Sequence, residues 1–407
     1  MATQMEKIDL KSIDKSKWKS YRFEQIADKI SENVDPGQTD LTTYVGLEHL
    51  DAEDIHIRRK GSPSDVSGGK LRCYPGDVIF GKRRAYQRKA AIVDFEGICS
   101  AHSFVLRARP KVIDPKLFPF FLHSDQFMHR MVDISVGGLS PTINWGDLKH
   151  QEFLLPPKEQ QAQLAELLWA MDEVIEKERT VLEKNKSVRY LYFNNVIRRG
   201  INYNEKPLKH KSIKYPETWE PKYLKNLLIS SRNGISETQN TKSEGIKVTR
   251  IETISEGVVD KNKIGFVNAK KDYSNYKLEV GDILFSHINS VAHIGKVAIY
   301  DKDYNLFHGV NLLRLVANPK LIRFKFLFFH LQNRDAKYFF ERRAKQAVNQ
   351  ASIDQYDLGS LPLALPTLEI QDKVIETMEQ FDSTINCNHT KIASSKALQK
   401  SLINQIF

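Results

Sequence analysis

Residues 155–200 of the chain decide its fold, and they read LPPKEQQAQLAELLWAMDEVIEKERTVLEKNKSVRYLYFNNVIRRG. After the two prolines at the start, no proline or glycine interrupts the run until Gly200. Proline suits the first turn of a helix and glycine commonly ends one. The apolar residues between them recur at helical spacing. The stretch therefore predicts one long helix over residues 158–199.

One side of this predicted helix carries a narrow apolar stripe, beside which a second row recurs at every seventh residue. A stripe this narrow on a long helix is typical of packing against another long helix. The alternative is an amphipathic helix that lies on its own domain. The stripe is Leu164, Leu168, Met171, Ile175 and Leu182, and the row beside it is Leu167, Val174, Val181 and Val188.

The same arrangement returns in the second half of the chain. Leu155, Glu159 and Gln161 reappear 210 residues later as Leu365, Glu369 and Gln371, and residues 368–407 again lack proline and glycine. The second stripe is Val374, Met378, Phe381, Ile385 and Ile392. Because the stripe recurs, we favour pairing between the two long helices.

The repeat extends upstream with a smaller offset. PGDVIF at residues 75–80 resembles VGDILF at residues 280–285, 205 residues later, and Trp18 and Trp219 are 201 residues apart. A drifting offset is expected where two copies differ in loop length. Short β-branched and aromatic runs broken by Gly, Pro and Asp, with some helical stretches, predict an α+β domain in each copy.

We therefore expect an α+β protein of two repeated domains, each followed by a long helix, with pseudo-two-fold symmetry. A chain of 407 residues is too long for one ordinary core. The predicted segments are a first domain at 1–155, a helix at 156–200, a linker at 201–217, a second domain at 218–365 and a second helix at 366–407.

The composition favours a polyanionic partner in the cytoplasm. Lys and Arg number 61 against 50 Asp and Glu, a net charge of +11, which suits nucleic acid, although a merely basic soluble protein is the alternative. The three cysteines are widely spaced, so we expect neither a disulfide framework nor a zinc site, and a reducing compartment is natural. No apolar run approaches the roughly 18 residues of a membrane span, so no membrane partner is expected.

Catalytic signatures are missing from the sequence. It has no glycine-rich nucleotide fingerprint, no phosphate-binding loop and no Asn-Pro-Pro-aromatic tetrapeptide of the amino-methyltransferase kind. The twelve histidines show no metal-ligand spacing. We predict no catalytic residue and no metal, and an enzyme with an unrecognised nuclease centre is the weakest alternative.

The most informative polar cluster is KRRAYQRK at residues 82–89, directly after a predicted strand. Cations can neutralise phosphates, Arg can bond guanine, Gln can bond adenine, and Tyr can stack. A solvated charged hairpin is the alternative reading. The predicted DNA-binding residues here are Lys82, Arg83, Arg84, Tyr86, Gln87, Arg88 and Lys89.

The equivalent loop of the second copy, residues 286–293, is just as polar but almost uncharged. Divergent loops on a repeated fold would let two domains read two different sequences, although drift in an unconstrained loop gives the same pattern. The DNA-binding candidates in this loop are Ser286, His287, Asn289 and His293.

A second loop precedes each long helix, at residues 135–145 and again at 345–353. Glycine permits close backbone approach, and Ser, Thr, Asn and Gln supply donors and acceptors without fixed charge. A generic turn before a strand would look the same. The candidates are Gly137, Gly138, Ser140, Thr142 and Asn144 in the first copy, and Gln346, Asn349 and Gln350 in the second.

Taken together, the duplicated halves with their boxes and helices resemble the specificity subunits of type I restriction-modification systems. The boxes read LPPKEQQ at residues 155–161 and LPTLEIQ at 365–371, where Thr367 and Ile370 depart from the usual proline and glutamine. The opening Pro-x-x-Trp of such domains is present at residues 216–219 and, in degenerate form, at 16–18. The resemblance covers nearly the whole chain.

This resemblance implies that each domain reads one half of a split site in double-stranded DNA, and that the helices pair as an antiparallel coiled coil. It also implies two methyltransferase subunits, which bind S-adenosylmethionine, and translocating restriction subunits; no cofactor is expected on this chain. A helix of about 40 residues spans roughly 60 Å, more than one DNA turn of about 34 to 36 Å. The alternative is a stand-alone DNA-binding or anti-restriction protein with the same fold.

Overall fold

The computed structural model describes residues 14–240, 243–255, 257–268, 270–290, 293–347 and 350–407. The chain divides into two compact units: one runs to Val181 and takes in Asn388–Phe407, and the other is Leu182–Cys387. Within the described ranges, no helix has the length and apolar character needed to cross a membrane.

The first unit begins with a β-rich region that is followed by short helices and a long one. Its elements are β1 (Lys19–Arg22), α1 (Phe23–Ile26), β2 (Ala27–Ile30), β3 (Asn33–Val34), β4 (Tyr44–Val45), β5 (Lys70–Cys73), β6 (Val78–Gly81), β7 (Ala90–Ile92), β8 (Gly97–Cys99), β9 (Ser103–Ala108), α2 (Phe118–His123), α3 (Asp125–Asp133), α4 (Trp145–Leu148), β10 (Glu152–Leu155) and the start of α5 (Lys158–Arg199).

The second unit takes the end of α5 and repeats this plan. Its elements are β11 (Pro207–His210), β12 (Ile213–Pro216), β13 (Glu220–Tyr223), β14 (Leu228–Asn233), β15 (Ile246–Thr249), β16 (Ile254–Ser255), β17 (Val258–Val259), β18 (Ile264–Val267), β19 (Ile283–Phe285), β20 (Ile288–Asn289), β21 (Val297–Ile299), β22 (Leu313–Ala317), α6 (Phe324–Gln332), α7 (Arg334–Glu341), β23 (Lys345–Ala347), β24 (Gln350–Ser352), α8 (Gln355–Gly359), β25 (Pro362–Leu365) and the start of α9 (Leu368–Ile406).

Sheet topology confirms the duplication. The order β2-β9-β6-β7 in the first unit recurs as β14-β22-β19-β21 in the second, and every one of these pairings is antiparallel. In each copy the opening strand pairs with the closing one, β1 with β10 and β13 with β25. This closure places the start of each α+β region beside the point where its long helix begins.

The repeated Gly-Asp motif supplies a buried aspartate that pairs with an arginine in both copies; Arg314 of the second copy is buried, whereas Arg107 of the first is exposed. Asp77 is buried and its carboxylate lies 2.7 Å from Nε of Arg107, while Asp282 lies at the same distance from Arg314. Asp77 also accepts a hydrogen bond from the backbone N–H of Tyr74 at 3.0 Å. In the first copy the motif thus links the turn before β6 to the neighbouring strand β9, and its role is structural.

The long helices pair antiparallel within each unit, as the resemblance implied. Residue numbers fall along α9 as they rise along α5, which defines the direction. The contacting pairs are Leu168 with Gln399 and Glu178 with Asn388 in the first unit, and Arg189 with Asp382 and Tyr192 with Phe381 in the second.

Apolar burial follows the first predicted stripe of α5 and not the row beside it. Leu164, Leu168, Ile175 and Leu182 are buried, the first two in one cluster with Leu402, Ile403, Ile406 and Phe407. The valines 174, 181 and 188 are exposed. These three valines therefore face solvent, whereas Leu167, the first member of the row, is half-buried against the core.

A buried glutamine fastens the start of each long helix to the preceding domain. The side-chain oxygen of Gln161 accepts from the N–H of Asp114 at 2.7 Å, and its amide donates to the carbonyls of Val112 and Pro156 at 2.9 and 2.8 Å. Gln371 makes the same three bonds, with Arg323, Leu321 and Pro366. The departures at positions 367 and 370 fall outside this network.

The segment predicted as a linker is a β-hairpin. The chain leaves α5 at Gly200, whose φ of +73° only glycine adopts easily, and β11 then pairs with β12 from Pro207 to Pro216. The mostly polar sequence concealed this hairpin, because its two short strands lack the apolar alternation of a half-buried strand.

Charged residues dock the segment 54–58 on the long helices of the first unit. His56 Nε2 lies 2.7 Å from the carboxylate of Asp172 on α5, and Arg58 lies 2.5 Å from that of Glu176. Buried Asp54 receives Arg179 at 2.9 Å and Lys396 of α9 at 3.9 Å. The network joins a loop of the domain to both helices.

Replacement of Gln161 by alanine is expected to destabilise the first unit by about 2–4 kcal/mol, because it leaves buried backbone groups without partners. Chemical denaturation of the full chain measures the loss. The matched control is Gln160→Ala, since Gln160 is half-exposed and outside the network; it should change stability by less than about 0.5 kcal/mol. Equal losses for the two variants would contradict the role assigned to Gln161.

The first unit should lose stability as the pH rises through the pKa of His56. The hydrogen bond with Asp172 raises the pKa of His56, although burial acts in the opposite direction. Because the pKa of His56 is higher in the folded chain, protonated His56 stabilises the fold fully at pH values below the pKa of an unfolded histidine, about 6.5. This contribution is lost as the pH rises through the pKa of the folded state. Thermal unfolding across this range should show a fall in midpoint that His56→Gln removes; an identical fall in the variant would show that another group is responsible.

Candidate nucleic-acid interface

The structure brings the two predicted DNA-binding loops of the first copy together. Arg83 and Thr142 form an antiparallel bridge. The N–H of Arg84 donates to the carbonyl of Pro141 at 2.7 Å, and the N–H of Ile143 donates to that of Lys82 at 2.9 Å. Loop 82–89 and loop 135–145, far apart in sequence, therefore form one surface.

The second copy has the same juxtaposition. Strand β20, in the loop at 286–293, pairs with β24, and the N–H of Ile353 donates to the carbonyl of His287 at 2.8 Å. Strand β23 extends this pairing to three strands. Both domains thus present two polar loops side by side on an equivalent framework.

A tight turn shapes the basic loop. Residues 85–87 form one 3-10 turn, and the flanking Arg84 and Arg88 have left-handed backbones with φ of 57° and 52°. Ala85 is buried below the turn, whereas Arg83, Arg84 and Tyr86 are exposed. Gln87 is half-buried. The turn therefore directs two arginines and an aromatic ring to solvent.

The two cations at the end of this loop, Arg88 and Lys89, have partners within the domain. Arg88 pairs with Glu53 at 2.9 Å and Asp125 at 2.6 Å, and Lys89 donates to the carbonyl of Leu47 at 2.7 Å. Arg88 and Lys89 therefore fasten the loop, and a DNA contact by either one would compete with these bonds.

Lys82 begins the loop in a half-buried position. Its ammonium lies 5.3 Å from the centre of the Phe104 ring, in cation–π geometry. Burial, together with the positive charge of Lys29, lowers the pKa of Lys82. An anion such as a phosphate would relieve this charge repulsion.

The glycine-containing loop forms a short hairpin. Val136 and Thr142 exchange backbone hydrogen bonds of 3.0 and 2.9 Å, and Gly137 adopts a φ of +112°. Gly137, Gly138 and Asn144 are exposed, while Ser140 and Thr142 are half-buried. The hydroxyl of Ser140 accepts from Nε of Arg84 at 3.1 Å, which links the hairpin to the basic loop.

In the second copy, Ser286 and His287 are buried inside the loop. Burial lowers the pKa of His287, and Nε2 of this residue lies 3.1 Å from the Asn233 amide. Asn289 is half-buried, and its amide donates to Ser286 at 3.2 Å. The exposed candidates are His293, Gln346 and Gln350, whereas Asn349 lies outside the described residues.

Two exposed apolar side chains of the hairpin were not among the predicted site residues. Leu139 is 97% exposed and Val136 is also exposed. The signal in the sequence was an isolated leucine between two glycines and Ser-Pro, outside any apolar periodicity. Within the described ranges, no group of three or more side chains suited to hold a metal is found.

Comparison with known proteins identifies the family. The protein family described as "Type I restriction modification DNA specificity domain" matches residues 16–185 and 216–395 of this chain. The putative type I restriction enzyme MjaX specificity subunit of Methanocaldococcus jannaschii is 41% identical over 209 residues, which cover 50% of this chain and 49% of that protein. The chain is thus aligned with about half the length of this relative. The EcoKI specificity subunit of Escherichia coli is 23% identical over 92% of this chain and 79% of that one.

Two solved structures share the fold. The first comes from work on complex assembly and conformational transition of the type I R-M system. It has a TM-score of 0.57 at 18% identity, and the match covers 96% of this chain and 97% of that one. The S subunit of a type I system from M. genitalium has a TM-score of 0.52 at 14% identity and covers 96% of each chain. Since the family description matches most of the sequence in two successive copies, the chain belongs to the type I restriction-modification DNA specificity family.

Proposed function

We propose that this chain is the DNA-recognition subunit of a type I restriction-modification complex, reading a split site with one half-site for each domain. The observation that carries the proposal is the paired loops: two polar segments distant in sequence lie side by side in both copies, on an equivalent framework. The relatives named above are specificity subunits, which supports the same role.

The two loop surfaces differ in the chemistry they offer to DNA. In the first copy, exposed Arg83 and Arg84 can neutralise phosphates or bond guanine bidentately. In the second copy, the exposed Gln346 and Gln350 can bond adenine, and His293 adds a further polar group. We therefore propose that the two domains read dissimilar half-sites.

The family is one of non-catalytic subunits, so methyl transfer and cleavage need other chains. We propose two methyltransferase subunits that carry S-adenosylmethionine, and restriction subunits with translocase activity, acting in the cytoplasm. The exposed valines 174 and 181 of α5 offer a methyltransferase helix an apolar row outside the helix pair.

We further propose that the working segments are the recognition domains 1–155 and 218–365, the helices 156–200 and 366–407, and the connection 201–217. The distance between the two half-sites would then follow from the lengths of α5 and α9, 42 and 39 residues. Each helix contributes residues to both compact units, which suits a connecting role for the helices.

Deletion of the gene should remove one split adenine-methylation motif from the methylome of the host. Sequencing of methylated adenines with and without the gene measures this, and a methyltransferase should co-purify with the tagged chain. An unchanged methylome would refute the proposal. Sequence-specific binding by the chain without a co-purifying methyltransferase would indicate the stand-alone DNA-binding alternative.

Replacement of both Arg83 and Arg84 by alanine should weaken DNA binding and make it less dependent on salt. If both arginines meet phosphates, the slope of log affinity against log salt falls in magnitude by about 2. Titration of a duplex carrying the motif with the chain and its methyltransferase, at several salt concentrations, gives the slope. Arg109→Ala is the matched control, because exposed Arg109 pairs with Asp28 and lies outside both loops; its slope should match the wild type. A wild-type slope in the double variant would exclude the two arginines from the interface.

A further inference from the structure

Leu139 stands at the tip of the hairpin in the first recognition domain with almost its whole side chain in water. It is 97% exposed, more than any other large apolar residue described. An exposed leucine side chain lacks the stabilisation of about 1.5–3 kcal/mol that its burial would give. A single exposed leucine is ordinary on a protein surface, so its surroundings decide whether it has a role.

The hairpin holds this leucine in a defined place. Both backbone hydrogen bonds between Val136 and Thr142 close its neck, and the N–H of Arg84 fixes Pro141 on the far side of the tip at 2.7 Å. The bond from Arg84 to Ser140 adds a side-chain tie next to Leu139. The tip is therefore ordered before any partner arrives, which lowers the entropy lost on binding.

The charges around the tip favour a polyanion as its partner. Arg83 and Arg84 are exposed on the adjoining loop, and Tyr86 beside them is 55% exposed. Arginines that contact phosphates would bring the hairpin against a duplex. The charged sugar-phosphate backbone gives an apolar side chain little apolar surface to pack against. The apolar parts of DNA are the thymine methyl groups in the major groove and the base stack, and leucine is among the residues that proteins insert between base pairs.

We propose that Leu139 is a wedge that enters the base stack of the half-site read by the first domain and opens one base step. This inference rests on the proposed function, since it presumes that the loops meet DNA. The wedge would add selectivity without a hydrogen bond, because pyrimidine–purine steps open more readily than others. Leu139 is then a specificity-determining residue of the first domain.

Fluorescence of the adenine analogue aminopurine tests the wedge, because its emission rises when it is unstacked. The analogue replaces adenines one at a time in a duplex that carries the split methylation motif, bound at saturation by the chain with its methyltransferase. Before S-adenosylmethionine is added, the wild type should raise emission at one step of the half-site read by the first domain. Leu139→Ala should abolish this rise and weaken affinity by about tenfold or less, whereas Leu139→Met should keep it.

Val132→Ala is the control, because Val132 is an exposed apolar residue of α3 just before the hairpin; it should leave the rise unchanged. Persistence of the rise in Leu139→Ala would overturn the wedge. Specific binding by the wild type without any rise would also overturn it and leave the proposed function intact. Absence of sequence-specific binding by the wild-type complex would overturn both.

Discussion

The buried side-chain amide of one glutamine in each copy is the constraint on which the arrangement depends. Gln161 and Gln371 pair with backbone groups on the loop after the central sheet and on the turn that starts the long helix. Buried backbone groups require partners, so these bonds hold the first turn of each long helix against its own domain. This accounts for the glutamine that ends both boxes, whereas Thr367 and Ile370, which differ from Pro157 and Gln160 of the first box, have no side chain in the network.

The two copies share the ion pairs and strand order that support the loops, but the loops expose different side chains. The Asp77–Arg107 pair has its counterpart in Asp282–Arg314, and the strand orders agree. By contrast, Arg83 and Arg84 occupy a loop whose counterpart is almost uncharged. A duplicated scaffold can therefore serve two different recognition surfaces, because the residues that fold it and those on its loop surface are separate.

Local patterns in the sequence predicted much of the fold. Both long helices, the repeat and several strands follow from apolar spacing and from the positions of proline and glycine, which act over a few residues. The pairing of loop 82–89 with loop 135–145 could not be predicted, since no local pattern encodes contacts between distant segments. For the same reason the ion pairs of Arg88 with Glu53 and Asp125 could not be predicted, and a DNA contact by Arg88 stays a prediction.

The division of the chain into units also fixes an order of events on the ribosome. The second unit is one continuous segment, Leu182–Cys387, but the first unit needs Asn388–Phe407 as well. Leu402, Ile403, Ile406 and Phe407 fill the core that Leu164 and Leu168 begin. During translation, the core of the first unit therefore stays incomplete until the ribosome has synthesised the whole second unit and the residues that follow it.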